Sequence, residues 1–257
     1  MAEFNMIKAV LFDLFDTLLL IERRKGYTFP KKNNQGGDVA SGLTKMHSYL
    51  VSKGVNVSFE EFYKAYVEAR DAIYAKVNAN LEEPHFNIRI VETLKKLGYN
   101  YDISSDIVAG ASRAFYEEFM KYVNIDEYAK SVLEKLHKKY KLGIVSNFAI
   151  PECAHKLLSL YDLDKLFDVI VVSGAVNKRK PHPEIFIGAL KELGVSASEA
   201  AFVGDTADAD VAGAKTVGMR SIYLKRRFEE NLVEFCPEYV IENLNDLPGL
   251  LEQKQFS

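Results

Sequence analysis

An α/β fold, with a parallel sheet interrupted after its first strand by one all-helical insertion, is what this 257-residue sequence predicts, and three observations predict it. The stretch KAVLFDLFDTLLL at 8–20 contains four consecutive apolar residues, 9–12, the mark of a strand covered on both faces. The block from about 38 to 122 carries helical periodicity and no comparable strand signal. From about residue 126, strands and helices alternate, as in βαβ units with right-handed crossovers. The chain therefore divides into a Rossmann-like core, 1–20 and 125–257, and a loop with an all-helical domain, 21–124.

The elements follow in order. After the first strand, IERRKGYTFPKKNNQGG (21–37) sets Arg23, Arg24, Lys25, Lys31 and Lys32 among Gly, Pro and Asn, which predicts a solvated loop; beside an anion site it would form a basic lip. In SFEEFYKAYVEARDAIYAKV, Ser58 and Glu61 have capping-box spacing, and Phe62, Ala65, Tyr66, Ala69, Ile73 and Val77 recur at helical intervals. IRIVETLKKLGYN and SSDIVAGASRAFYEEFMKYV predict two more helices, one ended by Gly98 and one opened by Ser104 or Ser105. The helix DEYAKSVLEKLHKKY then leads to the strands LGIVSNF, FDVIVVS, AAFVGD and SIYL, separated by helices around CAHKLLSLYDL, PEIFIGALKELG and ADVAGAKTVG. YVIENLNDLPGLLEQ adds a short strand and a last helix.

Composition narrows the function. Lys and Arg total 33 against 36 Asp and Glu, a net charge of −3, so no global basic field invites nucleic acid and any anion binding must be local. Two cysteines, Cys153 and Cys236, cannot build a disulfide scaffold, which predicts a reducing compartment. No apolar run approaches the roughly 20 residues that span a bilayer, and no cleavable signal precedes the first strand. The expectation is a cytoplasmic protein, monomer or homodimer, with a small-molecule substrate and neither nucleic-acid nor membrane partners.

Ligands of open α/β sheets gather at the carboxyl ends of strands, and the polar residues of this chain collect there. Asp13 and Asp16 follow the first strand, Ser146 and Asn147 follow LGIV, and Gly204, Asp205, Asp208 and Asp210 follow AAFV. Lys180 precedes a helix whose start Pro181 and Pro183 favour. Each alone also fits a cap, and Ser146 would cap PECAHKLL. The five histidines show no metal-ligand spacing, and His182, between two prolines, fits a helix start. Tyr63, Tyr66, Tyr74, Phe115, Tyr116 and Phe119 recur at helical intervals and read mostly as core.

Taken in chain order, these motifs resemble the haloacid dehalogenase superfamily of hydrolases with a helical cap. FDLFDTL matches the first motif through Asp13 and Thr17, LGIVSNF the second through Ser146, KPHPEIF the third through Lys180, and VGDTADADVAGAKTVGM the fourth through Asp205 and Asp210. An aspartate can attack phosphorus or carbon and form a covalent intermediate, which makes Asp13 the candidate nucleophile. Lys180 and a divalent cation would neutralise the charges brought together. Mg²⁺ suits Asp13, Asp205 and one carbonyl, and the resemblance assigns that carbonyl to Phe15. Ser146 and the Asn147 backbone N–H would bind phosphoryl oxygens, while Asp210 would orient Lys180 or a metal-bound water.

One residue departs from the pattern. Most phosphatases of that superfamily carry a second aspartate two residues past the nucleophile, as general acid for the leaving group, and here Phe15 stands there. Asp16 falls on the other face of an extended strand and reads as a turn residue. Loss of a general acid costs about a hundredfold or more for a poor leaving group and little for one that needs no proton. Halide is such a group, and the superfamily's 2-haloacid dehalogenases carry an aromatic residue at this place and a similar SN pair, yet they lack the GD acids. Three carboxylates offset by Lys180 alone would crowd one another, and Mg²⁺ relieves this.

The resulting expectation is a Mg²⁺-dependent phosphatase of small phosphorylated metabolites, favouring esters or anhydrides with good leaving groups. The alternatives are a metal-independent 2-haloacid dehalogenase and a low-turnover binding protein on the same fold. Arg23, Arg24 and Arg89 are candidate anion contacts for either substrate. Analogy with relatives adds closure of the cap over the site.

Overall fold

A computed structural model describes residues 6–22, 40–226 and 232–253. The basic residues proposed for the lip, Arg23 to Lys32, lie outside the described residues. The elements run β1 (Ala9–Phe12), β2 (Leu19–Ile21), α1 (Ala40–Ser52), α2 (Phe59–Asn80), α3 (Phe86–Lys96), α4 (Asp106–Met120), β3 (Val123–Ile125), α5 (Ala129–Leu136), β4 (Lys141–Ser146), α6 (Pro151–Leu160), β5 (Val169–Val172), α7 (Ser173–Val176), α8 (Pro183–Leu193), β6 (Ala200–Gly204), α9 (Ala212–Val217), β7 (Arg220–Leu224), α10 (Leu232–Phe235), β8 (Tyr239–Ile241) and α11 (Leu247–Leu251). A single wide π-type turn, Ala207–Val211, leads into α9.

Six strands form one parallel sheet in the order β5-β4-β1-β6-β7-β8, with β1 at the centre. All four residues of β1 are buried, as the unbroken apolar run requires, and they alternate between two cores. Val10 and Phe12 join a cluster with α5, α6 and α11, whereas Ala9 and Leu11 join one with α8 and Ala214 of α9. The sheet is thus covered on both faces.

The helical block opens and closes through an antiparallel two-stranded neck that the sequence did not announce: β2 pairs with β3, Leu19 opposite Ile125 and Ile21 opposite Val123. The α2 cap forms as read, with the Ser58 hydroxyl accepting from the Glu61 N–H and Glu61 returning the bond to the Ser58 N–H. Ser105 occupies the N-cap position of α4 but does not cap it, because its hydroxyl donates to the Asp102 carbonyl instead. One buried apolar cluster runs without a break from the sheet through Leu14, Leu18 and Leu19 into the block, reaching Phe86 and Phe119. Among the described residues no helix is long and apolar enough to cross a membrane.

Candidate active site

Register brings the motif residues together. Phe12 lies opposite Ile144 on one side and Val203 on the other, so Asp13, Ser146 and Asp205 emerge at one edge of the sheet. The Asp13 N–H donates to the Val203 carbonyl at 2.9 Å, extending that ladder by one step. Gly204 has no room for a side chain, since a Cβ would come within 2.2 Å of Asp210 Oδ2. The glycine therefore lets the carboxylate of the wide turn fold back over β6, where Oδ2 accepts the Thr206 N–H at 3.0 Å.

Lys180 is the electrostatic centre. Its ammonium is buried, donates to Asp13 Oδ1 at 2.6 Å and lies 2.8 Å from Asp210 Oδ1. Burial works against its charge, but the two carboxylates outweigh burial and hold the ammonium above its usual range. Asp13 is pushed up to about 7 by burial and by the neighbouring Asp210 and Asp205, against the pull of Lys180. Oxygens of Asp13, Asp205 and Asp210 all lie within 4.8 Å of one another, and all three residues are buried. Three hard oxygen donors so close together suit Mg²⁺, which favours carboxylates and would offset their mutual repulsion.

Ser146 ends β4 and is buried, and its hydroxyl has no hydrogen-bond partner among the described residues. It does not cap α6, whose N-cap position is Ile150. The Asn147 side chain has a structural role of its own: Oδ1 accepts the Lys180 N–H at 2.7 Å and Nδ2 donates to the Lys180 carbonyl at 3.0 Å, clamping the loop ahead of the cis Lys180–Pro181 bond. His182 is the N-cap of α8, its Nδ1 accepting the Glu184 N–H. Thr17 is fully buried, and its hydroxyl also has no partner among the described residues.

Asp13, Ser146, Asn147, Lys180, Asp205 and Asp210 line a cavity of about 470 Å³, together with Phe15, Asp16, Val77, Leu81, Arg179, Pro181, Thr206, Asp208 and Ala209, whereas Thr17 and His182 are not part of its wall. Phe15 packs its ring 4.6 Å from that of Phe148 and 5.7 Å from that of Phe119 of α4, so an apolar group stands where an acid was missed. Asp16 forms a turn: its φ is +59°, its N–H donates to the Leu19 carbonyl at 2.6 Å and its Oδ1 accepts the Ile21 N–H. Arg89 is absent from the cavity wall; its guanidinium lies among the rings of Tyr66, Tyr74 and Phe86. Cys153 is buried in α6, where burial pushes its thiol up.

Several partners escaped the sequence reading. Arg226, at the end of β7, donates to the carbonyls of Asp16 and Thr17 at 3.0 and 2.8 Å and to Asp126 Oδ2 at 2.7 Å. Glu83, buried in the loop between α2 and α3, accepts from the Ser173 hydroxyl, and that hydroxyl accepts the Phe148 N–H at 2.8 Å. Arg179 stands beside Lys180 in one basic triplet, a signal present in the sequence, whereas nothing local marks Glu83 or Asp126.

A protein from Pyrococcus abyssi named glyceraldehyde 3-phosphate phosphatase is 28% identical, across 98% of this chain and 97% of its own length. The crystal structure of 2-haloacid dehalogenase from Pseudomonas syringae pv. Tomato superposes with a TM-score of 0.66 at 25% identity, covering 96% of this chain and 98% of that one. An HAD phosphatase from Thermococcus onnurineus does so with a TM-score of 0.62 at 25% identity, covering 97% and 100%. The family model for haloacid dehalogenase-like hydrolases matches residues 7–218, more than half of the sequence, and the chain belongs to that family of enzymes.

Proposed function

We propose that this hydrolase is a Mg²⁺-dependent phosphatase of small phosphorylated metabolites, with Asp13 as nucleophile and the block 21–124 as a cap over a core of 1–20 and 125–257. The observation that carries the reading is the buried cluster of Asp13, Asp205 and Asp210, two of which, Asp13 and Asp210, meet the Lys180 ammonium. Three buried carboxylates so close repel one another, and a divalent cation beside Lys180 would offset that repulsion. Asp13, Asp205 and the Phe15 carbonyl would hold Mg²⁺, which when bound draws charge from phosphoryl oxygens and lets two anions meet. The relative from Pyrococcus and the Thermococcus structure, both named phosphatases, support the same reading.

The chain's own groups divide the work. Lys180 occupies Asp13 Oδ1, which leaves Oδ2 to attack phosphorus. That attack forms an aspartyl phosphate and breaks the bond to the leaving oxygen; water then splits the acyl phosphate and returns the carboxylate. The unpartnered Ser146 hydroxyl donates to a phosphoryl oxygen. Asp210 and the Asn147 clamp fix the Lys180 ammonium and backbone respectively. Phe15 provides no proton for the leaving group, so leaving groups of low pKa react fastest.

A second reading rests on Phe15 and on the Pseudomonas dehalogenase: Asp13 would attack carbon of a 2-haloacid and release halide. A paired assay on metal-stripped protein separates the two, using 4-nitrophenyl phosphate and a 2-haloacid, each with and without Mg²⁺, with Asp13→Asn as control. Phosphate release that needs both Mg²⁺ and Asp13 is the expected result. Halide release indifferent to Mg²⁺ would overturn the phosphatase.

A further inference from the structure

The cavity holds one cation that the reaction does not use. Arg179 lines it beside Lys180, and among the described residues these are its only basic side chains. Lys180 is consumed by Asp13 and Asp210. The guanidinium of Arg179 carries five N–H donors, yet its single polar neighbour among the described residues is Glu83 Oε1, at 3.5 Å from Nη1 and too long for an ordinary hydrogen bond. The side chain remains 29% exposed, enough for a bound molecule to reach it. Its backbone is fixed, because the Arg179 N–H donates to the Leu81 carbonyl at 3.0 Å.

Position tells which part of a substrate would meet it. Asp13, Ser146 and Lys180 take the transferring phosphoryl group at the sheet edge. The wall contributed by the helical block is made by Val77 and Leu81, and Arg179 is tied to that same Leu81. A leaving group extending from Asp13 toward the block therefore runs past two apolar side chains and reaches the guanidinium. Glu83 offers Arg179 one oxygen only, Oε1, since the Ser173 hydroxyl holds Oε2. A carboxylate or phosphate can take two parallel N–H bonds from the guanidinium fork, which Glu83 does not take.

We infer that Arg179 is a specificity-determining residue that binds a second anionic group on the leaving portion of the substrate, a carboxylate or a second phosphate. The inference rests on the phosphatase reading and names its substrate class: small phosphate esters of hydroxy acids, or phosphoanhydrides, that fit the cavity of about 470 Å³.

The test compares phosphate release, with Mg²⁺, from 3-phosphoglycerate, inorganic pyrophosphate and glycerol 3-phosphate. The last has the carbon skeleton of the first without its carboxylate. The wild-type protein is expected to favour at least one charged substrate over glycerol 3-phosphate by about 30-fold or more in kcat/KM, mainly through KM. Arg179→Met should bring that ratio below about 3, and Arg179→Lys should retain an intermediate ratio because it keeps the charge but not the fork. Arg179→Gln serves as a second neutral variant should Arg179→Met not fold.

Preference for 3-phosphoglycerate alone assigns the carboxylate, and preference for pyrophosphate alone assigns the second phosphate. A wild-type ratio near 1, or equal losses on charged and neutral substrates in Arg179→Met, would overturn the inference and leave Arg179 as a contact between loops. Phosphate release from none of the three, nor from 4-nitrophenyl phosphate, would overturn the phosphatase reading together with it.

Discussion

At the scale of single residues, the position two past Asp13 decides most about the chemistry of the proposed phosphatase. Phe15 offers an edge to the cavity and rings to Phe148 and Phe119, but no proton. Phe15→Asp should therefore raise kcat/KM for an alkyl phosphate relative to 4-nitrophenyl phosphate by about a hundredfold or more, the usual contribution of a general acid. It should also cost about 2 kcal/mol of stability in a denaturant titration, since a half-buried ring is lost. A ratio that does not move would mean that leaving-group protonation is not what Phe15 withholds. Asn147→Ala removes two hydrogen bonds to the Lys180 backbone and should cost about 2 kcal/mol, with kcat falling more than KM rises. Of the candidate site's charged residues, Asp13, Asp205 and Asp210 were legible because they follow strand ends in motifs, and Lys180 because it precedes two prolines at a helix start. The Asn147 clamp was not, because its partner lies 33 residues away and nothing local announces the meeting.

At the scale of elements, the neck joining sheet and helical block rests on Arg226. One guanidinium holds the two carbonyls of the turn after Asp13 and the buried Asp126 that follows β3, so it ties both crossings of the neck to the end of β7. Arg226→Gln leaves Asp126 without its cation and at least one carbonyl without its donor, at a cost of about 2–3 kcal/mol. Backbone hydrogen exchange should accelerate at 16–22 and 123–128 while β4 to β6 stay protected; acceleration spread evenly over the sheet would show that Arg226 does not act on the neck. The helices α2, α3 and α4 and the buried strands were readable from periodicity and from unbroken apolar runs, whereas α1 was read only as part of the helical block. The neck was not, because its two strands are three residues each, too short for alternation to register, and are separated in sequence by the whole block.

At the scale of the whole molecule, the crowded acids couple stability to pH and to metal. In the metal-free protein Asp13 releases its proton only near pH 7, whereas in the unfolded chain it does so near 3.8. Between those values the native state holds a proton that the unfolded state has lost, so Asp13 makes stability fall as pH rises from about 4 to about 7, with little further change above. On the proposed Mg²⁺ reading the metal needs the carboxylate ionised, so its binding should strengthen across the same interval and stabilise the fold by RT ln(1 + [Mg²⁺]/Kd). Melting temperatures of wild type and Asp13→Asn, each with EDTA or saturating Mg²⁺ at pH 5.5 and pH 8, separate this contribution from every other titrating group. With EDTA the variant should gain on wild type between pH 5.5 and pH 8, because it carries no charge to bury. Mg²⁺ should raise the wild-type melting temperature more at pH 8 than at pH 5.5 and the variant less at either. A difference between the two proteins that is the same at both pH values would mean that Asp13 is ionised in the metal-free fold throughout, and that the cluster is balanced without a metal.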